Sequence, residues 1–171
     1  MAQEIALIRL AAKDEALLQN LFQLYTHDFS DFWIDTPRGD LGPDGRFADY
    51  PLSPYWTRPN WQADLIRMNG EIAGFILIND ETHSGLPADR NVAETFILRK
   101  YRRQGLAHKV VREVFDRHPG QWELAVARAN LAALAFWQAT VSSSAQASDL
   151  EELDLQSEAW NGPILRFRWQ P

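Results

Sequence analysis

The sequence of 171 residues contains no cysteine, and its 17 lysines and arginines are outnumbered by 23 aspartates and glutamates. Without cysteine the chain has no disulfide, thiolate nucleophile or thiolate metal ligand, which is compatible with a reducing compartment and makes the cytoplasm the expected location. The net charge of -6 repels a nucleic-acid backbone at long range, so we predict no nucleic-acid partner. His27, His108 and His118 lack metal-ligand spacing with any partner, so we also predict no metal site.

The N-terminal stretch lacks a long apolar run. Arg9, Lys13 and Asp14 interrupt its apolar residues, so this stretch resembles neither a signal peptide nor a membrane span, and we expect no membrane association. A composition with 46% hydrophobic and 12% aromatic residues is typical of a folded globular protein. The length suits a single domain over residues 1–171.

The first half of the chain predicts strands, one helix and a long irregular segment. The elements are a strand at 4–10, a helix that Asp14 opens and that fades near 27–29, an ordered loop or lid at 34–60, and strands at 61–68 and 71–78. Asn69-Gly70 between the last two strands is the strongest short-range signature of a hairpin with a type I′ turn.

The second half predicts the order strand, helix, strand, helix. The elements are a loop at 79–90, a strand at 92–98, a helix from Gly105 that Pro119-Gly120 stops, a strand at 122–127, a helix at 131–139, a polar surface loop after Thr140, and a terminal strand at 163–169. Asn130 is the expected N-cap of the helix at 131–139.

Residues 92–109 join an apolar strand, a basic loop and a helix start, and the loop contains Arg102-x-x-Gly105-x-Ala107. Five of the seventeen lysines and arginines fall between positions 99 and 109. Backbone amides at a helix start have no intrahelical partner and lie at the positive end of the helix dipole, so such a loop can bind phosphate. Alone the pattern is weak, because Gly105 also suits an ordinary turn and the basic residues a solvated edge.

This loop, its helix and the later Asn130-x-x-Ala133-x-x-Phe136-Trp137 together resemble the GNAT superfamily of acetyl-CoA-dependent N-acetyltransferases. The resemblance implies an α/β (α+β) fold with a central mixed, mostly antiparallel sheet, splayed between its fourth and fifth strands and with helices on both faces. It also implies transfer of an acetyl group from acetyl-CoA to a primary amine of a small molecule or peptide. A homodimer is one assembly that remains open.

The same resemblance implies a coenzyme A site in which the pyrophosphate lies on the amides of 103–108 and the pantetheine arm pairs with the preceding strand. The residues implied are Thr95, Phe96, Ile97, Arg102, Arg103, Gln104, Gly105, Leu106, Ala107, His108, Asn130, Phe136 and Trp137. Asn130 suits pantetheine contact and helix capping equally well. The family usually has a second glycine where this chain has Arg103. Because arginine allows fewer backbone conformations than glycine, this loop is less permissive than usual.

Catalysis in this family usually needs a base for the ammonium proton and an acid for the thiolate. Glu94 is our first candidate for the base, because burial in an apolar strand would raise its pKa; pairing with a nearby arginine is the competing interpretation. Glu123, as a strand-surface residue, and His83, as a loop residue, are weaker candidates. The family's acid is commonly a tyrosine, but Trp137 stands there and indole cannot protonate a thiolate.

The acid, if one is needed, must therefore be another group such as Tyr25, Tyr50, Tyr55 or water. The irregular region is rich in aromatic residues, and we predict an acceptor pocket lined by Tyr25, Tyr50, Tyr55 and Trp56. Such a wall favours a moderately apolar or cationic amine, although the same residues, with Trp33 and Trp61, also suit a small core beneath the loop. Because Trp137 replaces the tyrosine, a non-catalytic module that binds acyl-CoA is the alternative function.

Overall fold

Seven strands and four α-helices form within residues 4–171, which are the residues that this computed structural model describes. The strands are β1 (Ile5–Arg9), β2 (Gln62–Met68), β3 (Glu71–Asn79), β4 (Arg90–Ile97), β5 (Gly120–Ala125), β6 (Ala147–Gln156) and β7 (Asn161–Trp169). The helices are α1 (Glu15–Phe29), α2 (Ser53–Thr57), α3 (Leu106–Arg117) and α4 (Leu131–Ser142).

The strands form one sheet in the order β1-β2-β3-β4-β5-β7-β6. Neighbouring strands are antiparallel except for β4 and β5, which α3 connects as a parallel pair. These two strands pair only at Arg90 with Trp122 and at Asn91 with Glu123, and then they separate. The predicted mixed sheet, splayed between the fourth and fifth strands, is therefore confirmed.

Strand β3 shows why the sheet carries helices on both faces. Its apolar run is buried throughout, and alternate side chains enter two different cores. Phe75 and Leu77 pack with residues of α1 and α2, whereas Ile76 and Ile78 pack with residues of α3 and α4. The central sheet therefore lies between two helical layers, as predicted.

Local geometry confirms two predicted details and corrects a third. Asn69 and Gly70 both have positive φ, at 53° and 82°, as a type I′ turn requires. The side chain of Asn130 accepts a hydrogen bond from the Ala133 amide at 3.1 Å and thus caps α4. Asp14 does not cap α1; its carboxylate accepts from the Ala11 amide at 3.0 Å within a short 3-10 turn.

Two predicted loops contain regular structure. The polar run after Thr140 is not a loop, because α4 continues to Ser142 and β6 then forms the edge of the sheet. An edge strand with both faces largely exposed tolerates acidic residues, which is why its composition resembles a loop. The segment 34–60 is irregular as predicted except for α2, where Pro54 occupies the first turn. Within residues 4–171 no helix has the length and apolarity needed to cross a membrane.

Candidate functional site

A cleft of about 920 Å³ opens where β4 and β5 separate. Asn91 lies at its closed end, and β4 forms one wall as far as Ile97. The start of α4, with Asn130 and Trp137, forms a second wall, and the end of α1 with the following residues to Trp33 forms the third. The cleft therefore lies between the predicted cofactor loop and the predicted acceptor region.

Among the strands of residues 4–171, none pairs with the edge of β4 that faces this cleft beyond Asn91. Its unpaired backbone groups can accept an extended ligand as an additional strand. The register with β3 shifts between Leu77 and Ile78, so β4 contains a bulge immediately before Glu94. A bulge of this kind re-aims the side chains that follow it, and Glu94 and Thr95 both line the cleft.

The loop between β4 and α3 presents a row of free backbone amides. Among the described residues, none of the amides from Arg103 to His108 has a hydrogen-bond acceptor in the chain. Arg103 and Gly105 both have positive φ, at 60° and 75°. The left-handed conformation costs a non-glycine residue about 1 kcal/mol, so Arg103 is held in a geometry that suits the glycine usual at this position. The loop can bind an anion through its backbone.

Two arginine side chains of this loop, those of Arg99 and Arg102, turn towards α1. Arg102 donates through Nε to the Ile97 carbonyl at 2.7 Å, and its guanidinium also contacts Asp28. Arg99 bonds the same carboxylate at 2.7 Å. Burial raises the pKa of Asp28, but hydrogen bonds and charges from Arg102 and Arg99 outweigh burial and hold that pKa below its ordinary value. Arg102 thus reaches the cleft as part of an ion-pair cluster, while Arg103 and Gln104 are exposed.

The other predicted cofactor residues lie in the cleft, in the core behind it, or, for Trp137, in both. Thr95, Phe96, Ile97, Asn130 and Trp137 line the cleft. The side chains of Leu106 and Trp137 are buried in the core, at 1% and 6% exposure. His108 is held by Thr140 at 2.9 Å and packs against Phe136, with 4.6 Å between ring centroids. These contacts join α3 to α4 behind the loop, so His108 and Phe136 position the loop from outside the cleft.

Glu94 is the carboxylate at the centre of the cleft. The Tyr25 hydroxyl donates a short hydrogen bond to Glu94 Oε2. Burial raises the pKa of Glu94 to about 7, although hydrogen bonds from Tyr25 and Tyr50 and the charge of Arg38 act in the opposite direction. No arginine lies within ion-pair distance of Glu94 among the described residues, so the competing interpretation of a structural ion pair is wrong. Near neutral pH this group can both accept and release a proton.

The four predicted acceptor residues separate into two pairs. Tyr25 and Tyr50 line the cleft. Tyr55 is instead buried beneath it, 5% exposed, with its ring 4.9 Å from that of Trp61, and Trp56 bonds Glu15 at 2.9 Å on the outer side of α1. Tyr25 and Tyr55 both belong to a small core, against which Tyr50, Trp56 and Trp61 pack. Tyr25 and Tyr50 belong to or pack against this core and also line the cleft, so both interpretations describe them.

The aromatic wall contains two residues that our sequence reasoning missed. Phe29 and Phe32 line the cleft together with Trp33, and the exposed Arg38 lines it next to Trp33. The signal was present, because Tyr25, Phe29, Phe32 and Trp33 continue the helical spacing of α1 beyond its end. Asn79 and Asn91 at the closed end were also missed, since isolated asparagines carry no pattern.

The three tyrosines proposed as acids share a shifted pKa. Burial, followed by the negative charge of Glu94, raises the pKa of Tyr25 and Tyr50 far above its ordinary value. Burial also raises the pKa of Tyr55, against a hydrogen bond from Tyr50. A phenol with a raised pKa is a weaker acid, so none of these tyrosines is well suited to protonate a thiolate.

Glu123, the weaker candidate for the base, is not on the strand surface. Its carboxylate is fully buried and pairs with Arg166 at 2.7 Å. It also accepts hydrogen bonds from the His83 amide at 2.6 Å and from the Ser84 amide and hydroxyl. Because its oxygens are occupied, this carboxylate anchors the loop and is not available as a base.

His83 lies in a loop, as predicted, and lines the cleft. Its ring packs edge-on against Trp160, with 4.5 Å between centroids, and burial lowers its pKa. Because its pKa lies below the ordinary value, the ring is neutral at physiological pH.

Comparisons with known proteins identify the family and the fold. The model of the acetyltransferase (GNAT) family matches residues 18–140. No curated protein sequence matches the chain.

Three solved structures cover nearly the whole chain. An acetyltransferase from Thermus thermophilus has a TM-score of 0.65 at 16% identity, covering 95% of this chain and 94% of its own. A GNAT acetyltransferase from Staphylococcus aureus has 0.62 at 13% identity, covering 98% and 100%. An aminoglycoside acetyltransferase in complex with coenzyme A and kanamycin has 0.61 at 16% identity, covering 98% and 95%. At these identities the similarity shows a shared fold.

Proposed function

Given that this chain belongs to the GNAT family of acetyltransferases, we propose that it transfers an acetyl group from acetyl-CoA to a primary amine by direct attack. Acetyl-CoA is the acyl donor of this family. The observation that carries the proposal is the position of Glu94, a carboxylate with a pKa of about 7, in the cleft beside the free edge of β4.

The residues present suit coenzyme A. The free amides from Arg103 to His108 would hold the pyrophosphate, and the positive end of the α3 dipole favours its charge. Gly105 leaves open space where a side chain would block this approach, since no atom lies within 4 Å of a Cβ built there. The unpaired edge of β4, at Thr95 and Ile97, would hold the pantetheine arm by main-chain hydrogen bonds.

Glu94 would accept the proton of the substrate ammonium. A general base works best with a pKa near the working pH, and the value of about 7 meets this condition. The hydrogen bond from Tyr25 fixes the carboxylate on the cleft side of β4. The neutral amine could then attack the thioester carbonyl directly, and collapse to the amide would expel the thiolate and release the second amine proton to solvent. No covalent enzyme intermediate is needed.

The departing thiolate would take its proton from solvent. Trp137 lines the cleft but has no acidic proton to give, and the raised pKa values of Tyr25, Tyr50 and Tyr55 make them poor donors. A thiol has an ordinary pKa of about 8.5, so a thiolate can leave as an anion and be protonated by water.

The test is thiol release from acetyl-CoA in the presence of a panel of primary amines, including small molecules and peptides with free N-termini. We expect release that depends on the amine and an acetylated amine of matching mass. Tight binding of acetyl-CoA with no transfer to any member would instead support the non-catalytic module, for which Trp137 is the motivating feature.

A further inference from the structure

Arg38 lies at the opening of the cleft, on the side where the acceptor would enter. We propose that the acceptor amine also carries an anionic group, a carboxylate or a phosphate, and that Arg38 binds this group while Glu94 receives the amine. This inference rests on the proposed function and specifies the substrate class of the same site.

The guanidinium of Arg38 lies over the aromatic ring of Trp33. Its central carbon lies 4.3 Å from the centroid of the Trp33 ring, and both residues line the cleft. A guanidinium held over an aromatic ring keeps its N–H edges free for a planar, bidentate anion. The side chain of Arg38 has no hydrogen-bond or ion-pair partner among the described residues, whereas Arg102, the other arginine lining the cleft, is occupied by Asp28.

The segment that carries Arg38 is held by backbone hydrogen bonds and lies against Trp33. The Trp33 amide donates to the Ser30 carbonyl at 3.0 Å, and the Thr36 amide donates to the Trp33 carbonyl at 3.0 Å. The Arg38 amide then donates to the Thr36 hydroxyl at 3.3 Å. Gly39 has a φ of 84°, and a Cβ there would lie 2.9 Å from the Trp33 ring. The backbone therefore packs directly against the indole that supports the guanidinium.

The positive charge of Arg38 acts on Glu94 and Tyr25 at the proposed reaction centre. It lowers the pKa of Glu94 and of Tyr25, so it acts on the groups that would receive the amine. A ligand with an amine at Glu94 and an anion at Arg38 would lie along the aromatic wall of Phe29 and Phe32. An apolar spacer between the two charged groups suits that wall.

At Trp33 the same arrangement disfavours a second ammonium, while Glu81 and Glu158 line other parts of the cleft. The face of Trp33 is the place where a second ammonium would bind by cation–π attraction, and Arg38 already covers it. The sequence prediction of an apolar or cationic acceptor is thereby narrowed to an amine with an apolar spacer and a negative group.

Matched substrate pairs test this directly. Each pair contains an anionic amine and its neutral counterpart: α-amino acids and ω-amino acids of increasing length with their carboxamides, and phosphoethanolamine with ethanolamine. We expect the wild type to prefer the anionic member of at least one pair. Arg38→Gln should lower the ratio of kcat/KM for that member to kcat/KM for its neutral counterpart about 10- to 100-fold, as expected for loss of charge-assisted hydrogen bonds.

The pairing separates recognition from catalysis. Removal of Arg38 also changes the charge near Glu94, but that change affects both members of a pair equally, so their ratio reports the anion contact alone. Arg46→Gln is the control, because Arg46 is an exposed arginine of the same irregular segment that does not line the cleft. It should alter neither member. The responding pair shows whether the anion is a carboxylate or a phosphate.

Calorimetric binding of the same pairs to the protein with coenzyme A keeps the inference testable without turnover. Preferential binding of an anionic amine that is lost in Arg38→Gln supports the inference, even if thiol release shows that the proposed function is wrong. Equal binding of both members to the wild type, or an equal loss of both in Arg38→Gln, would overturn it.

Discussion

Glutamine in place of Glu94 should make the protein more stable at alkaline pH and nearly inactive. Both effects have one cause, which is the burial of a carboxylate whose charged form is poorly solvated. The glutamine side chain would keep an oxygen to accept the Tyr25 hydrogen bond, so the variant removes the charge and the proton acceptor while the packing is retained.

The magnitude follows from the pKa. The folded pKa of about 7 lies above the ordinary 4.5, so the folded protein binds this proton more tightly than the unfolded chain does. Stability from this group is therefore fully present below pH 4.5 and is lost as the pH rises through about 7. A tenfold change in proton affinity is worth 1.36 kcal/mol, so the charged carboxylate lowers the free energy of unfolding by about 3 kcal/mol at pH 8.

Urea unfolding of both proteins at pH 4.5 and pH 8 measures this cost. Glu94→Gln should match the wild type at the lower pH and exceed it by about 3 kcal/mol at the higher pH. The exposed Glu158 at the cleft rim provides the control, since Glu158→Gln should change stability little at either pH. A Glu94→Gln protein no more stable than the wild type at pH 8 would refute the reasoning.

The catalytic half of this prediction uses the pH–rate profile. In the wild type kcat/KM should rise with pH through about 7 as Glu94 loses its proton. This rise is the acid limb of the profile. In Glu94→Gln the acid limb should vanish, and kcat/KM should fall by about 10²- to 10⁴-fold. An unchanged acid limb would exclude Glu94 as the base.

Three further outcomes are expected. Gly105→Glu should weaken coenzyme A binding by calorimetry by about 100-fold through charge repulsion and blockage, whereas Gly85→Glu, at a loop glycine with the same φ of 75° and equally open space, should not. Glu123→Gln should destabilise the fold by about 3 kcal/mol or more in urea, since a buried arginine loses its ionic partner; a loss below about 1 kcal/mol would contradict this account. Tyr25→Phe removes a hydrogen bond that lowers the pKa of Glu94, so the acid limb should move to higher pH, and an unmoved limb would count against that bond.

Local patterns in the sequence were sufficient for most of the scaffold. The Asn69-Gly70 turn, the Asn130 cap and the strand, loop and helix around Gly105 depend on residues close together in the chain. Such features are governed by backbone sterics and by hydrogen bonds over a few residues, so the spacing of residue types carries the information. The order of these elements also supported the family resemblance, and hence the splay of β4 and β5.

Edge strands and ion pairs could not be predicted in this way. Strand β6 has a loop-like composition because its stability comes from pairing with β7, and its side chains remain mostly exposed. Glu123 looked like a surface residue, because its partner Arg166 lies on another strand and 43 residues away. Neither feature leaves a periodic signal in the sequence.

The candidate site contains one feature that the local sequence determines and another that tertiary packing determines. The free amides of the loop at Arg103–His108 follow from where a helix begins, and the sequence alone indicates them. The environment of Glu94 depends on Tyr25, 69 residues away, and on Arg38 and Tyr50 from the irregular segment. A pKa is set by the solvent, charges and donors that packing brings around a group. The sequence therefore indicated Glu94 as a candidate base. Only the tertiary structure decided that its pKa lies near 7, in a cleft that Arg38 also lines.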